Sequence, residues 1–256
     1  MKPATEHALA KVPEVTLGFW IIKIAATTLG ETGGDAVSMS MNLGYLLSTG
    51  IFGAIFLATV VAQVKAKRFH PFLYWSTIVA TTTVGTTLAD FADRSLGIGY
   101  AGGSSLLLAL LLGSLFVWHR TLGSVSASTV SSPKAEAFYW LTIMFSQTLG
   151  TALGDWTADT AGLGYANASL VFSGLLALVV AAYFWTGVSR TLLFWTAFVL
   201  TRPLGAVVGD FLDKPVTGGG LALSRYSASA ALLAFMLVAI LVTQVIDHVH
   251  RAFTPD

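Results

Sequence analysis

TLGTALGDWTAD, residues 148–159, belongs to a pattern that occurs four times along the chain. Each copy begins at a tryptophan, has a glycine ten residues later, and has an aspartate five residues after that glycine. The copies are Trp20, Gly30, Asp35; Trp75, Gly85, Asp90; Trp140, Gly150, Asp155; and Trp195, Gly205, Asp210. Because the spacing is constant within very apolar sequence, it predicts an internally repeated structure that is built around these carboxylates.

Each repeat aspartate has a second acidic residue close to it in the sequence. This residue is Glu31 in the first copy and Asp93, Asp159 or Asp213 in the later copies. Eight of the thirteen acidic residues therefore occupy repeat positions. We predict that four carboxylate pairs converge on one metal site, which consists of Glu31, Asp35, Asp90, Asp93, Asp155, Asp159, Asp210 and Asp213.

The composition indicates an integral membrane protein. Hydrophobic residues make up 55% of the chain and charged residues 11%. Apolar runs of about 20 residues, the length that crosses a bilayer as a helix, follow one another. The expected spans are 17–37, 43–64, 71–92, 99–118, 137–157, 163–185, 190–211 and 222–246. The absence of cysteine excludes thiolate ligands and disulfides. The chain has no basic patch interleaved with aromatic residues, so nucleic acid is not expected as a partner.

The tryptophan spacing describes a nested repeat. Successive tryptophans are 55, 65 and 55 residues apart, so two halves are related by a shift of 120 residues. Each half contains two helical hairpins, and since every unit has an even number of spans, all units have the same orientation. The sequence predicts an all-α integral membrane protein with eight transmembrane helices, arranged as four parallel two-helix repeats around an axis. The expected divisions are an N-terminal tail at 1–16, a first half at 17–120, a Ser/Thr-rich linker at 121–136, a second half at 137–247 and a C-terminal tail at 248–256.

The basic residues predict the orientation in the membrane. Nine of them fall on one side of the expected spans: Lys2, Lys11, Lys65, Lys67, Arg68, Arg120, Lys134, Arg190 and Arg251. Three fall on the other side: Arg94, Lys214 and Arg225. By the positive-inside rule both termini are cytoplasmic, and the tryptophans that begin the odd spans would lie at the cytoplasmic interface. We expect a multi-pass protein of the bacterial inner membrane, with the lipid bilayer as its surroundings.

Polar residues at intervals of four lead along each motif helix towards its aspartate. The stripes are Lys23, Thr27, Glu31, Asp35; Thr82, Thr86, Asp90, Arg94; Gln147, Thr151, Asp155, Asp159; and Arg202, Ala206, Asp210, Lys214. Since residues four apart share a helix face, each motif helix has one polar face. At 1.5 Å per residue the aspartates lie ~22 Å from their tryptophans, in the outer half of the membrane.

Carboxylates at this depth indicate cation binding. Each costs about 2.5–3.5 kcal/mol at mid-bilayer, so intramembrane acids usually pair, line a watery cavity or bind a cation. Only four internal bases are available as partners: Lys23, Arg94, Arg202 and Lys214. We assign Arg202 and Lys23 as gating or counter-ion residues, although both are near enough to the cytoplasmic interface to snorkel.

Oxygen ligands without cysteine or a nearby histidine suit a hard divalent cation, which is Mg²⁺, Ca²⁺ or Mn²⁺. Met39 and Met41 follow the first motif, and a thioether ligand there would favour Mn²⁺. The ion is expected as the transported substrate, and no resident cofactor is expected. Protons are a possible counter-ion, because clustered acids titrate in separate steps.

The motifs TLGETGGD, TVGTTLAD, TLGTALGD and PLGAVVGD resemble those of a family of bacterial multi-spanning proteins described as uncharacterised and "membrane-anchored". The resemblance covers nearly the whole chain and implies the repeat pattern and the helical membrane fold. The acidic-glycine motifs are also similar in style to those of cation/proton exchangers and manganese exporters, although they do not match them residue by residue. That analogy favours an exporter.

Two other functions stay open. In an intramembrane aspartyl hydrolase, two aspartates beside glycine share a proton, although four near-equivalent copies exceed the two that such a pair needs. In a non-catalytic scaffold or sensor, the acids hold helices together. Metal-dependent thermal stabilisation would distinguish a cation transporter from both, and cleavage of a membrane peptide would indicate the hydrolase. The sequence leaves the direction of transport and the oligomeric state open.

Overall fold

The computed structural model describes residues 11–253, without the side chains of 247, 248 and 250–253. These residues form eight long α-helices and no β-strand. The helices are α1 Leu17–Asp35, α2 Gly44–Lys65, α3 Pro71–Asp90, α4 Tyr100–Leu122, α5 Pro133–Asp155, α6 Gly164–Trp185, α7 Arg190–Asp213 and α8 Arg225–Phe253. Most of the expected tail at 1–16, with Lys2, lies outside the described residues. The expected tail at 248–256 is helical as far as Phe253, where α8 ends, and residues 254–256 lie outside the described residues.

The inner helices α1, α3, α5 and α7 form a closed ring of four. Each packs against the next in chain order, and α7 packs against α1. The repeat glycine of each copy lies against a residue of the following copy. The contacts are Gly30 with Thr82, Gly85 with Gln147, Gly150 with Arg202, and Gly205 with Thr27. A Cβ at Gly30 would lie only 2.0 Å from Oγ1 of Thr82, so these glycines allow the helices to approach closely.

The end of this ring at Trp20, Trp75, Trp140 and Trp195, here called the tryptophan end, is closed by aromatic side chains. The residues that precede the four tryptophans are buried, and each ring contacts the tryptophan of the following copy. These residues are Phe19, Tyr74, Tyr139 and Phe194. The hydroxyl groups of Tyr74 and Tyr139 are 2.6 Å apart. Because all four tryptophans lie at the same end, the inner helices are parallel.

Three of these tryptophans pack inside the protein. Trp75, Trp140 and Trp195 are at most 4% exposed, so they fill space between repeats. Their expected depth at the membrane interface stays a prediction. The expected linker at 121–136 is packed as well. Val130 is buried, the Val125 carbonyl accepts a hydrogen bond of 2.8 Å from Nε1 of Trp195, and α5 already begins at Pro133.

Each outer helix packs on the inner helix of the following repeat. α2 lies on α3, α4 on α5, α6 on α7, and α8 returns to α1. The two helices of each expected hairpin therefore do not pack closely on each other. Because the glycine contacts place the inner helices side by side, each outer helix packs outside the ring, over its neighbour. The repeats therefore interlock in a circle.

In the part of the chain that the structure describes, five helices are long and apolar enough to cross a membrane: α2, α4, α6, α7 and α8. The other three are inner helices, and their hydropathy is lower because the faces that point to the centre of the ring carry polar residues. The outer helices expose large apolar side chains, among them Leu57, Leu170 and Leu178, as helices in contact with lipid do. The fold is therefore all-helical, built from four repeats, and has the character of a membrane protein.

The first three inner helices end in the same way. Directly after the repeat aspartate comes a five-residue π-helical turn, at Ala36–Ser40, Phe91–Ser95 and Trp156–Thr160. A glycine with positive φ then allows the chain to reverse into the outer helix; Gly44 has φ +74°. The fourth copy differs, because α7 continues to Asp213 and is followed by a loop, 214–224.

Candidate functional site

The axis of the inner ring consists of layers, and every layer contains one residue from each inner helix. From the tryptophan end the layers are Lys23, Ile78, Ile143, Phe198; Thr27, Thr82, Gln147, Arg202; Glu31, Thr86, Thr151, Ala206; and Asp35, Asp90, Asp155, Asp210. All sixteen residues are at most 2% exposed. The last layer, here called the aspartate ring, lies where the inner helices end. Because residues four apart share a helix face, the motif spacing itself produces the layers.

Arg202 links the four inner helices at the centre of the axis. Its Nη2 donates to Oε2 of Glu31 at 2.9 Å, to Oγ1 of Thr86 at 2.6 Å and to Oγ1 of Thr151. These three partners come from α1, α3 and α5, whereas Arg202 belongs to α7. The side chain is fully buried, so it does not snorkel to a surface. It forms an ion pair with Glu31 and is the counter-ion of that carboxylate.

Lys23 is also fully buried, so the snorkelling expected for it does not occur. Its Nζ lies 4.2 Å from the centre of the Phe198 ring. Among the described residues this ammonium group has no hydrogen-bond partner. The reason for its burial is the aromatic layer at the tryptophan end, which separates Lys23 from the nearer surface. Its favourable contact is with the face of an aromatic ring.

One half of the aspartate ring, together with Glu31 from the preceding layer, forms a cluster of three carboxylates, two of which contact a lysine. Nζ of Lys214 lies 2.7 Å from Oδ2 of Asp35 and 3.0 Å from Oδ1 of Asp210. Carboxylate oxygens of Glu31, Asp35 and Asp210 lie within 4.8 Å of one another. We call Glu31, Asp35, Asp210 and Lys214 the Lys214 cluster. In the described part of the chain, its three acids are the one group of acidic side chains whose oxygens lie close enough together to hold a metal ion.

The other half of the ring repeats this arrangement with an arginine. Nε of Arg94 lies 2.7 Å from Oδ1 of Asp90, and its Nη2 lies 3.7 Å from Oδ2 of Asp155. We call these three residues the Arg94 cluster. Arg94 precedes Lys214 by 120 residues, and the aspartates of the two clusters differ by the same shift. The half-repeat of the sequence is therefore preserved in the ion pairs, in which one base joins the aspartates of two successive copies.

The second acids of the last three copies lie at the rim of the ring. Asp93 is half-buried against Gly103 of α4, where an added Cβ would lie 2.7 Å from its Oδ1. Asp159 is exposed and accepts a hydrogen bond of 3.2 Å from the Tyr165 hydroxyl. Asp213 is buried and pairs with Arg225, whose Nε lies 3.0 Å from its Oδ2.

The eight acids that we expected in one site are thus divided among two clusters and a rim. Within residues 11–253, only Glu31, Asp35 and Asp210 come together as a ligand group. Asp93 and Asp159 stay apart because they follow the ring aspartates, where the inner helices end and lead outwards, whereas Asp213 is linked to Asp35 through Arg225.

Sequence reasoning missed Arg225 as part of this site. Its Nη2 lies 3.6 Å from Oδ2 of Asp35, although Arg225 belongs to α8 and to no motif copy. Arg94 and Lys214 were recognisable, since each follows its own aspartate by four residues on the same helix face. That each would also reach the aspartate of the next copy depends on the ring arrangement. Of the two methionines considered as ligands, Met39 is half-buried and Met41 is 53% exposed.

Comparison with known protein families agrees with the repeats. Residues 18–69, 73–124, 138–189 and 193–248 each match the same sequence family. Every match contains most of one inner helix and most or all of the outer helix that follows it. No curated protein and no solved structure gives a significant match. The four matches cover most of the chain, which belongs to the family of the Repeat of Unknown Function (DUF347).

Proposed function

We propose that this protein is a membrane transporter of a hard divalent cation, most simply an exporter, and that the Lys214 cluster binds the ion. The observation that carries the proposal is the convergence of oxygens from Glu31, Asp35 and Asp210 within 4.8 Å of one another. Carboxylate oxygens at this separation suit Mg²⁺, Ca²⁺ or Mn²⁺, each of which is coordinated mainly by oxygen. We favour Mn²⁺ because of the similarity to manganese exporters in motif style.

The charges around the axis support a divalent cation. Six buried carboxylates lie at the aspartate end of the axis: Glu31, Asp35, Asp90, Asp155, Asp210 and Asp213. Four bases pair with them, namely Arg94, Arg202, Lys214 and Arg225. The difference is two negative charges in a region where an uncompensated charge is costly. One divalent cation would balance that difference.

In the proposed arrangement all eight helices cross the membrane. The five apolar helices do so in contact with lipid or with one another, and α1, α3 and α5 cross within the protein, where their polar faces meet at the axis. The distribution of basic residues favours a cytoplasmic position for the tryptophan end and both termini in a bacterium. The Lys214 cluster then lies towards the outer face of the inner membrane. Movement of the ion to the cytoplasmic side would require the aromatic layer at the tryptophan end to open.

A non-catalytic scaffold is the second candidate, because every aspartate of the ring contacts a base. In a scaffold, the only role of these ion pairs would be to hold the helices together. The aspartyl hydrolase has less support. Its mechanism needs two carboxyl groups that share a proton, whereas here Arg94 or Lys214 lies between the aspartates of each pair.

Cation uptake by purified protein in lipid vesicles tests the proposal. We expect Mn²⁺ to enter vesicles that contain the protein, and to raise the melting temperature of the detergent-solubilised protein. Asp210→Asn removes a ligand charge and should weaken Mn²⁺ binding by about tenfold or more, since ligand charge sets affinity at such sites. Asp159→Asn is the matched control, because Asp159 is exposed at the rim and should leave binding unchanged.

The scaffold makes the opposite prediction. If folded wild-type protein neither transports Mn²⁺, Mg²⁺ or Ca²⁺ nor gains stability from them, the transporter is excluded and the scaffold is favoured. Loss of melting temperature in Asp210→Asn without any effect of metal on the wild type would lead to the same conclusion.

A further inference from the structure

Lys214 occupies the position that a bound cation would need. Its Nζ lies between Asp35 and Asp210, at 2.7 Å and 3.0 Å from their carboxylate oxygens. These two residues supply two of the three carboxylates that could hold a metal. An ammonium group and a metal ion cannot use the same oxygens at once, and a metal ion bound to these oxygens would repel the ammonium charge beside it. Binding of a cation therefore requires the Lys214 side chain to leave.

The backbone of Lys214 is fixed, so only its side chain can move away. The amide of Lys214 donates to the Asp210 carbonyl at 2.9 Å, and its own carbonyl accepts from the amide of Ala222 at 2.9 Å. A Cβ at Gly220 would lie 2.1 Å from that carbonyl oxygen, so the loop 214–224 folds directly over this residue. The side chain is 12% exposed, which gives the ammonium group a route to the surface.

The loop that fixes Lys214 occurs only in the fourth copy. The first three copies have a π-helical turn after the repeat aspartate, whereas the fourth has the loop 214–224. The amides of Leu221 and Leu223 attach this loop to the carbonyls of Phe211 and Leu212 at the end of α7. The copy that departs from the repeat is therefore the one that presents a lysine to the three-carboxylate cluster.

The Arg94 cluster provides an internal comparison. Arg94 joins two aspartates in the same way, but the position equivalent to Glu31 in that half is Thr151, so the third carboxylate is missing. The two bases also differ in kind. A lysine is a point charge on a flexible stem, whereas the arginine fork holds carboxylates in a fixed geometry. Of the two bases, Lys214 is thus the more easily displaced, and it lies where the carboxylates are more numerous.

From these contacts we infer that Lys214 is a built-in competitor of the transported cation, and that the aspartate ring binds one divalent ion, in the Lys214 cluster. This inference rests on the proposed transport function. Without the ion, the ammonium group contacts the buried carboxylates of Asp35 and Asp210 and offsets one of their two negative charges. With the ion bound, the lysine turns outwards, and on release of the ion it returns. Lys214 sets the affinity low enough for the ion to leave.

Binding of Mn²⁺ to purified protein, followed through the spin-resonance signal of free Mn²⁺, tests the inference. Lys214→Gln should bind Mn²⁺ at least about tenfold more tightly than the wild type, because the competing charge is gone. Lys214→Arg keeps the charge and adds the fork, so it should bind Mn²⁺ more weakly than the wild type. Arg94→Gln removes the same charge from the other half of the ring and so measures the general electrostatic effect of losing one positive charge. This variant should raise the affinity for Mn²⁺ by less than about threefold.

A second measurement uses the wild type and needs no substitution. Labelling of Lys214 by an amine-reactive reagent, located by mass spectrometry, should increase when Mn²⁺ is added, because the side chain becomes exposed. Equal gains in affinity for Lys214→Gln and Arg94→Gln, or labelling of Lys214 that Mn²⁺ does not change, would overturn the inference while the wild type still binds Mn²⁺. If the wild type binds neither Mn²⁺ nor Mg²⁺ nor Ca²⁺, the proposed function fails, and the inference fails with it.

Discussion

Arg202 holds the four inner helices together from inside the ring. Its Nη2 donates to Glu31, Thr86 and Thr151, and both charged partners of the Glu31–Arg202 pair are almost fully buried. A buried ion pair contributes little net stability compared with apolar residues of the same size, but removing one partner leaves an uncompensated charge. The pair therefore acts as a unit, and each residue requires the other.

We predict that Arg202→Gln destabilises the protein strongly, by about 3–5 kcal/mol, because Glu31 is left buried without its counter-ion. Adding Glu31→Gln to this variant removes the isolated charge and should restore part of the loss. Melting temperatures of the two single variants and the double variant in detergent give the coupling between the residues. Additive effects in this cycle would mean that the two side chains do not interact.

The sequence identified the residues of the site better than their partners. The aspartate ring was predictable because a constant spacing along parallel helices brings equivalent residues into one layer. The pairing of Glu31 with Arg202 was not, since these residues are 171 positions apart and their contact depends on the vertical register of α1 against α7. The same is true of Arg225, which reaches Asp35 from an outer helix.

At the scale of the helices, close approach depends on the repeat glycines. Gly30 faces Thr82 of the next inner helix, where an added Cβ would lie 2.0 Å from Oγ1, whereas a Cβ at Gly33 would come no nearer than 4.0 Å to a neighbour, Ser229. Both glycines lie in α1. They therefore allow a comparison in which helix propensity is the same and only the packing differs.

We predict that Gly30→Ala destabilises the protein by about 1–3 kcal/mol, because the methyl group has no room between α1 and α3. Gly33→Ala is the control, and it should be neutral or slightly stabilising, since alanine favours helix by up to ~1 kcal/mol over glycine. Thermal unfolding of both variants in detergent checks this difference. Equal stability of the two variants would contradict the tight packing at Gly30.

The helices themselves were largely predictable, because each apolar run is similar in length to the helix it forms, and most expected boundaries lie within a few residues of the observed ones. The π-helical turns and the loop 214–224 were not, since they depend on how the chain leaves the ring. The packing of α2 on α3 instead of on α1 was also beyond the sequence pattern. An apolar surface indicates that a helix packs against something, but it does not identify the neighbour.

At the scale of the whole molecule, the two halves exchange outer helices. α4 of the first half covers α5 of the second, and α8 of the second half covers α1 of the first. Lys11 adds a polar contact between the halves, since its Nζ lies 2.6 Å from Oε1 of Glu136. Each half alone would leave one inner helix uncovered and the polar axis open to lipid, at a high cost for its buried carboxylates.

We therefore predict that the chain, divided after Ser124 and produced as two separate pieces in the same cell, reassembles into a stable complex. The division falls in the connection between α4 and α5, so it interrupts no helix. An affinity tag on one piece should recover the other from detergent extracts, and the complex should melt within a few degrees of the intact protein. Either piece produced alone should be degraded or aggregate. A single piece that is as stable as the intact protein would show that the halves fold independently and that the interlocked packing of α4 and α8 contributes little.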